Sequence, residues 1–394
     1  MANASLTSIT GLLKEMYEEP FQTQLQEENI LTQRIEKSSE GVVHKAGGKY
    51  VDFPVLVGRN QGISFRQEYE TLGNPGRARW KEVNVPLLYG YVRGRVSGQV
   101  IELAKDNEQA FANAIDQEME VAKDSVRKDQ NRVYYGDGTG KLATIVVTAN
   151  SATQTVDSAY WLEIDAEVDV MNSGGTKIGT ALTITAVDYD ANTVTLSGSV
   201  NATANTHFIV RAGDYDTATQ REPTGLGRIT DNTVNLHGLN DPAWKAVTTT
   251  LGGALSESAM IALCDKMRLK GSKPTAIFTS LGVRRAYFNL LVQQRRFNNT
   301  TDFAGGFKGL PFHYGSKEIP VMEDPDAPAS TMFFIQEDMM RIYHTGDWHF
   351  EDKTGSMFVQ VPNTDAFDYW MKRYFEMATR RRNAVGKLSS INEN

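Results

Sequence analysis

The sequence predicts an α+β chain with a small all-β domain inserted into a larger mixed unit, and three observations carry that prediction. Between residues 98 and 135 lies the strongest helical periodicity, with Phe111, Ile115, Met119, Ala122 and Val126 on one helical face. Residues 143–212 switch to short alternating runs rich in Thr, Val and Ala, in which Lys177 is the one lysine or arginine before Arg211. From residue 213 onward, helical runs alternate with short apolar strands, a period unlike that of the insert.

Bulk properties bound the function. The 394 residues suffice for roughly two or three domains, each with its own core. Hydrophobic residues make up 40% and charged residues 23%, as in ordinary soluble globular chains. No run approaches the ~20 apolar residues of a membrane helix, so no membrane partner is expected. The first twenty residues, MANASLTSITGLLKEMYEEP, lack the basic and apolar regions of a signal peptide. Cys264 is the sole cysteine, which excludes an intramolecular disulfide and fits a reducing cytosol. The net charge of −7 argues against tight DNA binding, which calls for a basic patch. The positive charges are scattered, and their densest run is Arg380, Arg381 and Arg382. An acidic wall that contains DNA without gripping it fits these numbers.

Residues 1–40 read as a polar arm with a short amphipathic helix on Ile9, Leu12, Leu13 and Met16, stopped by Pro20. Residues 41–97 read as a long hairpin, with strands at Tyr50–Val57 and Arg79–Val92 and a charged tip marked by Gly73, Pro75 and Gly76. A lone two-stranded hairpin is marginal in water, so it needs a surface to lie on. Residues 98–142 hold the long helix, expected from about Asn107 to Asn131 behind a cap at Asp106. Residues 143–212 form the β insert, a barrel or sandwich with strands at Thr144–Thr148, Trp161–Val170, Leu182–Val187, Thr193–Leu196 and Phe208–Arg211. Residues 213–355 carry helices at Ser256–Lys270, closed by Gly271, and at Gly282–Phe297. Strands are expected there at Ala276–Phe278, Ile319–Met322, Thr331–Gln336 and Met339–His344. Residues 356–394 include a run at Met357–Val361 and an extended run from Phe367 to Met377.

Motifs that suggest chemistry resolve into simpler readings. The loop Gly136-Asp137-Gly138-Thr139-Gly140-Lys141 has Tyr135 where a phosphate loop needs its first glycine, and Leu142 after the lysine, so it reads as a turn. His344 and His349 flank a short loop, but His44, His207, His237 and His313 are far away in sequence, and zinc needs three or four ligands. Cys264 sits beside Met260, Ile261 and Met267 as a packing residue. Glu323, Asp324 and Asp326 fall short of a calcium loop's ligand offsets and read as an acidic loop. No catalytic constellation, cofactor or metal is therefore expected, which disfavours an alternative reading as a hydrolase with a β binding module.

The order of parts resembles the major capsid proteins of tailed bacteriophages with the Hong Kong 97 fold. The resemblance rests on Leu88-Tyr89-Gly90-Tyr91-Val92 leading into Gln99-Val100-Ile101, then on the helix end Asn131-Arg132-Val133-Tyr134-Tyr135. It continues at Ser280-Leu281-Gly282-Val283-Arg284-Arg285-Ala286-Tyr287, Glu323-Asp324-Pro325-Asp326-Ala327-Pro328 and Asn363-Thr364-Asp365-Ala366-Phe367. It implies an N-terminal arm, an extended hairpin (the E-loop), a spine helix, and peripheral and axial domains. Residues 213–355 would be mainly axial, and 356–394 would return to the peripheral domain.

What the resemblance implies is self-assembly into hexamers and pentamers of an icosahedral virion head around packaged double-stranded DNA, built in the host cytoplasm. A portal protein, a separate scaffolding protein (only ~40 residues precede the hairpin, too few for such a domain) and a decoration protein would be partners. An encapsulin-like nanocompartment is the related alternative. Some family members cross-link a hairpin lysine to an asparagine beside a glutamate. Lys81 matches the lysine, but the region from Lys372 to Arg382 is basic, so non-covalent contacts are expected. The expected contacts pair Arg66, Arg77, Arg79 and Lys81 with a neighbour's Asp116 and Glu120, with Arg380, Arg381 and Arg382 as a second basic candidate.

Overall fold

The computed structural model describes residues 30–37, 42–44, 50–98, 108–216, 220–293, 301–302, 308–352 and 359–393. The arm helix expected at Ile9, Leu12, Leu13 and Met16, its stop at Pro20, the Asp106 cap and the run beginning at Met357 lie outside those residues.

Helix α1 (Ile30–Lys37) and strand β1 (Val42–His44) open the described chain. Strands β2 (Tyr50–Gly58) and β3 (Arg79–Pro86) pair antiparallel in a sheet of their own, with Tyr50 opposite Pro86. The expected second strand, Arg79–Val92, is two strands. Pro86 has no N–H to continue the ladder, and the chain restarts as β4 (Leu88–Ser97) in another sheet. Helix α2 (Glu108–Tyr135) has 28 residues and spans ~42 Å. It outruns the expected end at Asn131 because Val133, Tyr134 and Tyr135 are buried and prolong its apolar face.

The chain then builds a six-stranded antiparallel sheet from β5 (Lys141–Thr144), β6 (Ala149–Thr155), β7 (Glu167–Met171), β8 (Lys177–Asp188), β9 (Thr193–Ala202) and β10 (Phe208–Arg211), in the order β5-β10-β7-β8-β9-β6. Its two ends meet where Ile145 bridges Val156, and the Asp157 N–H donates to Thr144 O at 2.8 Å, so the sheet closes on itself. Val168, Val170, Ile184, Val194, Leu196 and Ile209 fill it as a core separate from the rest. The strand expected from Trp161 starts only at Glu167, because Leu162 and Ala166 close turns on Ala159 and Glu163. β6 was not expected at all. Its fully buried Gln154 is polar, and the side-chain Nε2 donates to Ser151 O and Val200 O at 2.6 and 3.1 Å.

The remainder contains α3 (Leu226–Thr230), β11 (Val247–Ala254), α4 (Glu257–Leu269), β12 (Ala276–Thr279), α5 (Leu281–Gln293), β13 (Thr301–Asp302), β14 (Lys308–Tyr314), β15 (Lys317–Glu323), β16 (Met332–Ile335), β17 (Met340–His344), β18 (His349–Phe350), β19 (Val359–Gln360), β20 (Ala366–Thr379) and β21 (Val385–Asn392). Ser256 caps α4 by accepting from the Ala259 N–H, and Gly271 leaves it at φ +82°. Seven strands form a mixed sheet in the order β11-β21-β16-β12-β15-β14-β13. Alternation divides its side chains between two cores. Ile277, Val321, Met332 and Phe334 face the core that holds α4, whereas Phe278, Met322, Phe333 and Ile335 face the core holding Tyr134 and Tyr135 of α2 and Leu31 and Ile35 of α1. A second sheet centres on the 14-residue β20, paired with β4 along one edge and with β17, β18 and β19 along the other. The hairpin root packs against this sheet through Val83, Val85, Trp244, Tyr343 and Ala378.

Candidate assembly surfaces

Beyond its ladder the hairpin continues as an irregular loop over residues 59–78. Its two limbs nearly touch at Gly62 and Gly76, where a Cβ on either would collide with the other's backbone. Small local bonds hold it, including Asn60 Oδ1 accepting from the Gly62 N–H at 2.8 Å and Ser64 Oγ from the Gly73 N–H at 3.3 Å. Ile63, Phe65, Tyr69 and Leu72 stand 74, 96, 97 and 84% exposed on it. Arg66, Arg77, Arg79 and Lys81 are exposed as well, with Arg79 at 4.0 Å from Asp241 of its own chain. A monomer gains nothing from four large apolar side chains in water, and such a surface marks an interaction site. Reading the tip as merely charged missed them; their signal was apolar residues recurring between the arginines and glutamates.

The second region is the C-terminal turn of α2, which ends at Tyr135. Adjacent residues on a helix point about 100° apart, so Asp129, Gln130, Asn131 and Arg132 fan out to different neighbours. Asp129 accepts from Arg132 Nε and Arg211 Nη2, each at 2.9 Å, and Arg132 also pairs with Glu222. Burial pushes the Asp129 carboxyl up, but the Arg132 and Arg211 guanidiniums outweigh it and hold the group well below the usual carboxylate range. Gln130 Oε1 accepts from Trp348 Nε1 at 3.0 Å and Arg373 Nη1 at 2.9 Å. Asn131 Nδ2 donates to Asp324 Oδ1 at 3.1 Å and Asp326 Oδ2 at 2.5 Å, while its Oδ1 accepts from Thr32 Oγ1 of α1 at 2.9 Å. Tyr135 Oη and the Leu31 N–H also donate to Asp324. Burial raises the Asp324 carboxyl and pushes Asp326 up to about 7. The segment read as an acidic loop is thus a buried polar joint between α1 and α2, with Glu323 apart from it on Arg284 Nε at 2.5 Å. Gly225 and Gly227 complete the joint, since a Cβ at either would meet the Gly136 carbonyl.

The remaining sequence-derived sites fall as follows. The side chains of Asp116 and Glu120 lie outside the described residues, although α2 runs through both positions. Arg380 is exposed and Arg381 half-buried. Arg382 is fully buried and donates to the carbonyls of Ile229, Val234 and Asp231, so it is an internal brace and drops out of the surface set. Burial lowers its guanidinium to about 10. The sequence reading also passed over Glu376, the one carboxylate between Lys372 and Arg382. It is completely buried, accepts from the Thr224 N–H at 2.7 Å, and is pushed up to about 8 by burial. Gly138 and Gly140 take φ +79° and +84° in the turn read above. Cys264 is buried, with burial pushing its thiol up to about 12. His344 and His349 lie in neighbouring strands on β20, and no group of three or more His, Cys, Asp or Glu placed to hold a metal occurs among the described residues. No described helix is long and apolar enough to cross a membrane.

An exposed hairpin, a long helix, and a mixed sheet against a β20-centred sheet are the parts of the Hong Kong 97-type capsid fold. Solved structures agree. The chain matches one from the cyanophage A-1(L) capsid asymmetric unit at TM-score 0.62 and 14% identity, over 98% of this chain and 99% of that one. It matches the SrpI encapsulin of Synechococcus elongatus PCC 7942 at TM-score 0.51 and 8% identity (100% and 98% covered), and a structure from Mycobacterium phage Bobi at 0.51 and 12% (98% and 99% covered). The chain has the Hong Kong 97-type capsid fold. Residues 199–361 match the family model of the SU10 major capsid protein, and a comparison with curated protein sequences gave no match. Over that segment the chain is similar to tailed-phage major capsid proteins.

Proposed function

We propose that this chain is a tailed-phage coat protein that assembles as hexamers and pentamers, each copy laying its hairpin across the next, into an icosahedral head formed in the host cytoplasm around double-stranded DNA. The observation that carries this is the hairpin tip, whose Phe65 and Tyr69 are almost fully exposed in the single chain. The exposed Arg66, Arg77, Arg79 and Lys81 supply charge for the same contact, directed at a neighbour's α2 around Asp116 and Glu120. Single surface pairs contribute only ~0–1 kcal/mol, but a shell repeats each one many times. Residues 41–97 serve as the E-loop, α2 as the spine, and 143–212 as an inserted domain carried on the spine's end by Arg211 and Asp129. A scaffolding protein, a portal and a decoration protein complete the proposed partners. The net charge of −7 supports weak, non-specific contact with the packaged DNA.

Electron microscopy of the purified protein, alone and co-expressed with its neighbouring genes, tests the reading. Closed particles or hexamer sheets are expected, with nucleic acid inside heads made by infection. A protein that stays monomeric in both conditions would overturn it, and shells that enclose only protein cargo would favour the nanocompartment alternative.

A further inference from the structure

The hairpin tip and the β barrel built from β5 to β10 are each left incomplete by the single chain. At the tip, Phe65 and Tyr69 are almost fully exposed. On the barrel, Ile164 and Tyr189 are 57 and 58% exposed. Tyr189 Oη donates to Leu162 O at 3.2 Å, which draws the turn at 188–190 towards residues 162–165 and joins the two apolar side chains into one patch. Each is flanked by two exposed carboxylates, Glu163 and Asp165 beside Ile164, and Asp188 and Asp190 beside Tyr189. The charge of the barrel is one-sided. Residues 142–210 hold seven carboxylates against one lysine or arginine, Lys177, which pairs with the buried Asp169 at 2.5 Å. The tip is the reverse, with four arginines and two glutamates across residues 59–79.

We propose that this patch on the barrel is the seat of the hairpin tip of a second copy of the chain. The proposal rests on the shell reading above and adds the place where the tip lands. Phe65 and Tyr69 meet Ile164 and Tyr189 at the centre, and Arg66 and Arg77 meet the carboxylates at the rim. An exposed apolar patch with a polar rim marks an interaction site, and opposite potentials across it select the partner and fix the register. Position supports the choice as well. Lys128 of α2 lies 4.6 Å from the Tyr160 ring centre and 5.3 Å from that of Trp161, so the patch begins just beyond the point where the barrel sits on α2. From position 120 to Lys128, α2 advances ~12 Å. The chain from Arg79 back to Tyr69 can reach ~33 Å when extended. A hairpin with Arg79 and Lys81 beside position 120 of a neighbour's α2 therefore carries its tip as far as that neighbour's barrel. The inserted barrel is then a receptor that ties adjacent copies together.

The test places the photo-cross-linker p-benzoylphenylalanine at the exposed Ile164 in the full chain. Irradiated shells are digested with trypsin, and the captured peptide is identified by mass spectrometry. The expected product joins the barrel to Asn60–Arg66 or Gln67–Arg77, and mixed isotopically light and heavy chains show that the two halves come from different copies. The variant Glu163→Lys, Asp190→Lys should reduce this capture at least about tenfold, and adding Arg66→Glu, Arg77→Glu should restore it, because both sides of the contact are then reversed. Capture of α2, of another barrel or of the chain's own hairpin would overturn the proposal and leave the shell reading standing, as would no capture from well-formed shells. If no shells form, the shell reading fails, and the cross-link is read on the concentrated unassembled protein. There, capture of a second copy's tip supports the contact and its absence overturns it.

Discussion

The C-terminal turn of α2 and the tip of the hairpin are made from similar residues, yet their surroundings are opposite. At α2, arginine, aspartate, asparagine and tyrosine close on one another within the chain, with Asn131 bonded to Asp324, Asp326 and Thr32 together. At the hairpin, arginines and aromatics point into water, with Phe65 and Tyr69 at 96 and 97% exposure. The difference teaches where each region's stabilisation comes from. The α2 joint is completed by folding, whereas in the proposed shell the hairpin is completed by another molecule. Substitutions in the two regions should therefore separate stability from assembly.

The largest effect is expected at the hairpin. The double variant Phe65→Ser, Tyr69→Ser should reduce shell yield by at least about tenfold, as loss of paired aromatic anchors does at interfaces. Its unfolding free energy should stay within about 0.5 kcal/mol of the parent, since exposed positions contribute little. Sedimentation velocity counts the shells, and urea unfolding of the unassembled protein measures stability. Normal shell yield would break the contrast at its stronger end.

Arg132→Ala should behave in the opposite way. It leaves the half-buried Asp129 and Glu222 with one cation removed and Arg211 still on Asp129, at a cost of about 2–3 kcal/mol, read as a lower urea midpoint before assembly is tested. An unchanged midpoint would mean that the joint is not closed within the chain. A finer contrast lies inside one basic run. Arg382→Met removes the donor to three carbonyls and should cost about 2 kcal/mol, whereas Arg380→Met, at an exposed position, should stay within about 0.5 kcal/mol. Equal effects would contradict the burial difference between these residues.

That run also shows how far the sequence could be read. Three consecutive arginines look alike in one dimension, and nothing local says that Arg382 turns inward to carbonyls some 150 residues earlier in the chain. The same limit applies to Asp324, whose partners Leu31 and Asn131 lie far away in sequence. Periodicity did locate α2, α4, α5 and most strands, because burial imposes a local pattern of every second or every third and fourth residue. It failed at β6, where the inward residue is Gln154, at β11, β14 and β21, none of which was expected, and at Pro86, where one apolar run serves two sheets. Local pattern reports which face is buried. It does not report which distant partner completes a polar group.

The smallest effect is a pH dependence at the joint. Burial raises the Asp326 carboxyl to about 7, against an ordinary value of 3.8. Below about pH 4 the group is protonated in both folded and unfolded chains and contributes nothing. Between about pH 4 and 7 the unfolded chain loses this proton while the folded chain keeps it, so stability falls as pH rises, and above 7 the full penalty applies. Asn131 and the cations Lys128 and Arg132 offset part of it, and the neighbouring Asp324 adds to it. Asp326→Asn keeps an oxygen for Asn131 Nδ2 and removes the charge. It should therefore gain about 1–2 kcal/mol at pH 8, with the gain shrinking towards zero near pH 4. Urea unfolding at pH 8, 6 and 4.5 gives the slope directly. A gain of equal size at all three pH values would place the benefit in packing, and a loss at pH 8 would show that the joint needs the ionised carboxylate to hold α1 against α2.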